Sequence, residues 1–74
     1  DNEMNEICAG DLFQADRYWS RFHGFLHPDD CVVEIGDYIL VIAAEPSNIM
    51  VKAVHNGQSL YISKERLWEI ARLV

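Results

Sequence analysis

The longest apolar run in the chain is the stretch 32–42, in which only Glu34 and a Gly36-Asp37 pair interrupt β-branched and other apolar residues. A run with so little alternation predicts a central strand with little solvent on either face, because a half-exposed strand would alternate apolar and polar residues. We therefore expect the rest of the chain to be arranged around this strand. Partner strands should follow it, and a covering helix should precede it.

The 74 residues, of which 50% are hydrophobic, predict one domain spanning residues 1–74 with a thin stability margin. No apolar segment approaches the ~20 residues that a membrane-spanning helix needs, so we expect no membrane partner. Cys8 and Cys31 are too far apart for a clustered motif, and we interpret them as buried free thiols. Free thiols favour a reducing, cytoplasmic location.

Acidic residues are concentrated in the first half of the chain. Residues 1–37 contain nine acidic and two basic residues, for a net charge of −7, whereas residues 38–74 have a net charge of +1. An acidic domain repels phosphate backbones, so direct nucleic-acid binding is not expected. A basic protein partner fits this charge better.

Residues 4–26 have the periodicity of an amphipathic helix. Asp11, followed by Gln14 three positions later, resembles a capping box at which the main helix would begin. We predict that this helix packs on a sheet, and the alternative is that its stripe forms half of a homodimer seam. The apolar stripe, at spacings of four and three residues, consists of Cys8, Leu12, Ala15, Trp19, Phe22 and Leu26.

The strongest local signal is a β-hairpin. Asn56-Gly57 is the preferred pair for a two-residue type I′ turn, and apolar-rich segments flank it. The turn fixes the register. The predicted cross-strand pairs are His55 with Gln58, Ala53 with Leu60, Lys52 with Tyr61, and Val51 with Ile62.

Residues 63–74 allow two interpretations. Ser63 could cap a helix that continues through Leu67, Ile70 and Val74, or Lys64–Leu67 could form one 3₁₀ turn before a last strand at Trp68–Val74. We favour the turn followed by the strand.

Three segments from Glu34 onward resemble those of a small SH3-like barrel. Residues 35–41 are similar to the family's Gly-Asp strand, Asn56-Gly57 occupies the place of its distal turn, and residues 61–67 resemble the segment leading into its last strand. The resemblance implies a small antiparallel barrel of four or five strands over residues 31–74. The aromatic floor that binds proline-rich peptides is missing, so the resemblance does not imply a reader of such peptides. With the predicted helix, the expected fold is an α+β domain with an N-terminal helix packed on this barrel.

Aromatic side chains outside the predicted core indicate a protein interface. Phe13 lies on the polar side of the predicted helix, where it is either exposed or buried by a bend at Gly10. The predicted partner-binding residues are Phe13, Asp16, Arg17, Tyr18, Tyr61 and Trp68.

A weaker constellation could bind a metal ion. His23 and His27 are four residues apart, and Cys31 is a third candidate ligand, although Pro28 disfavours a helix at His27. No spacing typical of a catalytic site is present, so we expect no catalytic residues, no cofactor and no enzyme activity. The predicted function is a non-enzymatic protein-protein interaction module or small regulatory protein. The first alternative is an acidic mimic of nucleic acid that inhibits a nucleic-acid-binding protein, and the second is a small metal-binding protein.

Overall fold

A computed structural model describes residues 6–20 and 32–74 of the chain. Its main feature is a five-stranded antiparallel sheet with the strand order β6-β5-β4-β1-β7, and β2 and β3 form a separate two-stranded sheet. The elements are β1 (Leu12–Ala15), β2 (Trp19–Ser20), β3 (Val32–Val33), β4 (Tyr38–Ala44), β5 (Met50–His55), β6 (Gln58–Ser63), α1 (Lys64–Ile70) and β7 (Ala71–Leu73). No helix among these residues is long and apolar enough to cross a membrane.

The prediction of an N-terminal helix packed on an SH3-like barrel is wrong. Strands account for 52% of the described structure, and its single helix is short and C-terminal. Within the predicted helix, residues 6–20 contain β1 and β2 instead, and residues 21–26 lie outside the described part of the chain. The helical stripe was misleading because a strand at β1 pairs with both β4 and β7, two long-range pairings that a local pattern does not reveal.

Two turns of the same construction begin the β1 and β4 segments. In the first, the amide of Asp11 donates to the carbonyl oxygen of Cys8, and the amide of Cys8 donates to Asp11 Oδ2 at 2.9 Å. In the second, Asp37 and Glu34 make the equivalent two bonds, each at 3.0 Å. The third residue of each turn is a glycine at positive φ, Gly10 at 97° and Gly36 at 95°, a conformation that other residues rarely adopt. Asp11, which we expected to begin a helix, therefore closes a turn that begins a strand.

These turns close the two ends of the β1–β4 ribbon. At one end, Gly10 donates to the carbonyl oxygen of Val41, whose amide donates to that of Asp11. At the other end, Gly36 and Asp37 make the equivalent two bonds with Ala15. The paired part of the ribbon is thus approximately symmetric, and β4 continues beyond it to Ala44.

β4 is central in the sheet, as predicted, but only one of its faces is buried. Ile39 and Val41 have no exposed surface, whereas Tyr38, Leu40 and Ile42 on the other face are 54%, 41% and 41% exposed. The expectation of a strand buried on both faces is therefore wrong. Apolar side chains on the outward face conceal the alternation that an antiparallel strand with one solvated face has.

The β5–β6 hairpin confirms its prediction in full. Asn56 and Gly57 both have positive φ, 52° and 79°, as a type I′ turn requires. All four predicted pairs are observed. Four of the inward side chains supply a large part of the core, and they are Val51, Ala53, Leu60 and Ile62.

The C-terminal segment combines the two interpretations of the sequence. Ser63 caps a true helix, its Oγ accepting the Arg66 amide at 3.0 Å, so the preferred 3₁₀ turn is wrong. The helix ends at Ile70 and the last strand begins at Ala71, later than predicted. Leu67 and Ile70 are the buried residues of α1, which therefore closes the core.

Phe13 is the largest of the fully buried side chains. Its ring meets that of Trp68 edge to face, with centroids 5.1 Å apart. We predict that Phe13→Ala lowers the free energy of unfolding by about 3–5 kcal/mol, because it removes a fully buried aromatic ring and leaves a cavity. Urea denaturation measures this loss. Tyr38→Ala, on the outward face of the same ribbon, is the control and should cost less than about 1 kcal/mol; similar losses for both would contradict the placement of Phe13.

A second prediction concerns Gly36. An added Cβ would meet nothing within 4 Å, so Gly36→Ala creates no clash and its cost comes from the backbone alone. At φ 95° we expect a loss of about 1–2 kcal/mol. Gly36→Asn should cost less, since asparagine tolerates positive φ better than alanine does. Urea unfolding of both variants checks this order, and unchanged stability of Gly36→Ala would refute it.

Candidate functional site

The six residues predicted to bind a partner do not form one surface. Phe13 is completely buried, which is the core alternative of the two considered for it. Asp16, Arg17 and Tyr18 follow β1, whereas Tyr61 lies on β6 and Trp68 on α1. The structure therefore divides the five remaining residues among three places.

The segment after β1 is held against the end of α1. The amides of Asp16 and Arg17 both donate to the carbonyl oxygen of Ile70, at 2.8 and 3.2 Å. Asp16 Oδ2 accepts from Arg72 Nε at 2.9 Å, in an ion pair that is largely open to solvent and is therefore worth little to stability. Tyr18 is 57% exposed, so this segment presents an aromatic side chain to solvent.

Tyr61 lies on the outward face of the hairpin. Its directly opposed neighbour is Lys52, whose Nζ is 5.9 Å from the centre of the tyrosine ring. Both residues border a shallow depression of about 130 Å³ beside the loop that joins β4 to β5. This depression is too small for more than one side chain.

An open groove of about 770 Å³, which Trp68 borders, lies between the β4–β5 loop and α1. Its apolar wall comes from Pro46 and Ile49 on the loop and from Trp68 on the helix. Ile49 is 75% exposed, more than any other large hydrophobic residue of the described structure. The charged residues that line the groove are Lys64, Glu65 and Glu69.

Lys64 fastens the loop to the start of the helix. Its amide donates to the carbonyl oxygen of Ile49 at 2.8 Å, and its Nζ donates to that of Glu45 at 2.7 Å. Within the loop, Asn48 donates its amide to Glu45 and accepts from the Met50 amide through Oδ1. Both ends of the loop are thus tied down, so the shape of the groove is formed before any ligand arrives.

Trp68 connects this groove to the core. One edge of its ring system packs with Phe13, and its indole Nε1 is buried without a hydrogen-bond partner in the structure. A buried donor without an acceptor costs stability. The edge-to-face contact with Phe13 is the favourable interaction that holds the ring in place.

Trp68 was among the predicted partner-binding residues, but the loop that faces it was not. The available signal was a large aliphatic residue directly after a Pro-Ser-Asn turn, a place where polar residues are usual. The helix that brings Trp68 opposite Ile49 could not be inferred from that signal.

The predicted metal ligands His23, His27 and Cys31 lie outside the described residues, so this prediction stays untested. Among residues 6–20 and 32–74, no group of three or more histidine, cysteine and acidic side chains could bind a metal ion. The one close pairing of a histidine with a carboxylate there is His55 Nε2 with Asp37 Oδ2, at 2.8 Å. His55 is buried, and the pair joins the end of β5 to the turn that precedes β4.

No family model matches this chain, and the comparison with curated proteins finds no significant match. The function of the protein is therefore inferred from its residues and their geometry.

The Asp37 carboxylate predicts a specific acid sensitivity. Hydrogen bonds from the His55 side chain and then from the Glu34 amide hold the pKa of Asp37 below its ordinary value of 3.8. A carboxyl with a lowered pKa in the folded state stabilises the fold fully above its ordinary pKa, and this contribution is lost as the pH falls through the folded-state pKa. We expect wild-type stability to fall more steeply than that of Asp37→Asn between about pH 5 and pH 2. Thermal unfolding of both proteins across this range measures the slopes, and parallel curves would rule out the coupling.

Proposed function

We propose that this protein is a non-enzymatic protein-interaction module and that its partner binds in the groove between the β4–β5 loop and α1. The observation that carries the proposal is the 75% exposure of Ile49 on a loop that internal hydrogen bonds already hold in place. Exposing a large aliphatic side chain to water is unfavourable, and covering it with a partner lowers the free energy of the system. A preformed loop also spares the entropy that ordering it on binding would cost.

The expected gain is large enough for specific recognition. Covering one isoleucine side chain is worth about 1.5–3 kcal/mol, which corresponds to roughly tenfold or more in affinity. Trp68 and Pro46 extend the apolar surface on both sides of Ile49. Interfaces typically concentrate their binding energy in a few such side chains, with tryptophan enriched among them. The groove is of a size that suits a short segment of a protein chain.

Other exposed apolar side chains support binding less directly. Tyr38, Leu40 and Ile42 lie in a row on the outward face of β4, but each of them is less exposed than Ile49. Cys8 is exposed and not buried as predicted, and its free thiol favours a reducing, cytoplasmic setting for the module.

The alternative functions gain no support from the described residues. An acidic mimic of nucleic acid would display unpaired carboxylates along one face. Here Asp16 pairs with Arg72 and Glu69 pairs with Arg66, each at 2.9 Å. The metal-binding alternative depends on His23, His27 and Cys31 and remains an expectation from the sequence.

Two isoleucines provide a matched test. Ile49→Asp places a charge in the groove, and Ile35→Asp places the same charge on a side chain that is 72% exposed in the turn before β4. The two positions lie beyond opposite ends of β4, whose seven residues span about 23 Å. We predict that peptides selected from a displayed random library on the wild-type protein lose at least about tenfold in affinity for Ile49→Asp and bind Ile35→Asp unchanged.

Fluorescence polarisation with labelled synthetic peptides measures these affinities. Both variants should unfold at the wild-type urea concentration, since neither residue is part of the core. Equal binding by wild type and Ile49→Asp would place the interaction elsewhere and refute the proposal.

A further inference from the structure

We infer that the groove recognises a partner segment in which a lysine or arginine lies beside a large apolar residue. This inference rests on the proposed function, since it specifies the chemistry of the partner at the same groove. The observations that carry it are the charges along the groove, the bonds that they already make, and their positions on α1.

The cations near the groove are already engaged within the chain. Lys64 Nζ is bonded to the backbone of Glu45, and Arg66 Nη1 donates to Glu69 Oε1 at 2.9 Å. By contrast, Glu65 lines the groove and makes no side-chain hydrogen bond or ion pair with any residue of the described structure. The groove therefore presents a carboxylate that is available to a partner.

Glu65 and Glu69 place two negative charges on the side of α1 that lines the groove, and only that of Glu69 is paired within the helix, with Arg66. They are four residues apart and both line the groove, and like charges at this spacing destabilise a helix. Glu65 in the first turn interacts favourably with the helix dipole, whereas Glu69 in the last turn, which has no basic residue, opposes it. A ligand that carries positive charge would relieve both the repulsion and the unfavourable placement.

The apolar wall of the groove suits the same ligand. The aliphatic stem of a lysine or arginine can pack on Trp68 while its charged end reaches Glu65, because long basic side chains pack their methylene groups on apolar surface and leave the head group free. A neighbouring apolar side chain of the partner would cover Ile49. The net charge of −6 further favours encounter with a basic partner over an acidic one.

The selected peptides provide the test. We expect sequences enriched on the wild-type protein to combine a lysine or arginine with a large apolar residue, and their synthetic versions to bind more weakly as the sodium chloride concentration rises. Glu65→Gln should weaken binding about two- to fivefold, as is usual for the loss of one exposed charge pair. Glu65→Lys should weaken it further.

Glu34→Gln is the matched control. Glu34 is an exposed glutamate whose bonds in the turn before β4 use only its backbone atoms. It lies at the opposite end of β4 from the groove, and its replacement should leave peptide binding unchanged. Circular dichroism of each variant confirms that the fold is retained before affinities are compared.

The outcomes separate this inference from the proposed function. Peptides that depend on Ile49 but contain no basic residue, or that bind Glu65→Gln and Glu65→Lys as tightly as wild type, would overturn the inference and leave the interaction module standing. Failure to enrich any peptide that depends on Ile49 would overturn both. Enrichment of basic, apolar peptides that weaken with both Glu65 variants and not with Glu34→Gln would support both.

Discussion

The β1–β4 ribbon depends on two aspartate side chains. Each of them closes a turn by accepting a hydrogen bond from the backbone amide three residues before it. Asp11 Oδ2 accepts from Cys8, and Asp37 Oδ2 accepts from Glu34. The first turn then hydrogen-bonds to Val41 of β4, and the second to Ala15 at the end of β1. The ribbon is therefore fixed at both ends, and its register follows from local geometry at either one.

The rest of the fold is built outward from this ribbon. β7 joins the free edge of β1, the β5–β6 hairpin joins the free edge of β4, and α1 connects the two ends of the sheet. His55 at the end of β5 hydrogen-bonds to Asp37. The Asp37 side chain therefore contacts both the turn that begins β4 and the β5–β6 hairpin. The loop that carries Ile49 lies at the other end of β4, where Lys64 ties it to the helix. The groove thus lies between elements that the sheet holds at fixed separation.

Local turn chemistry predicted its own part of the structure well. Asn56-Gly57 specified a turn, a register and the inward face of two strands, and all were correct. The same kind of signal was present twice more, because Gly10-Asp11 and Gly36-Asp37 are each followed by two apolar residues at the start of a strand. Recognising that repeat would have placed β1 opposite β4. The helical spacing of Cys8, Leu12, Ala15 and Trp19 carried no information about pairing, since it describes only which side chains could share a face of an isolated helix.

The sequence by itself determined the turn at Asn56-Gly57, the register of its hairpin and the excess of negative charge, because each depends on residues within a few positions of one another or on composition alone. Only the tertiary structure decided that residues 12–15 form a strand, that Phe13 is buried against Trp68, and that Ile49 faces α1 across a groove. Those outcomes depend on hydrogen bonds and packing between segments far apart in the chain. Burial of Phe13 and pairing of β1 on both edges outweigh a weak local preference for helix, and that balance exists only once the strands have met.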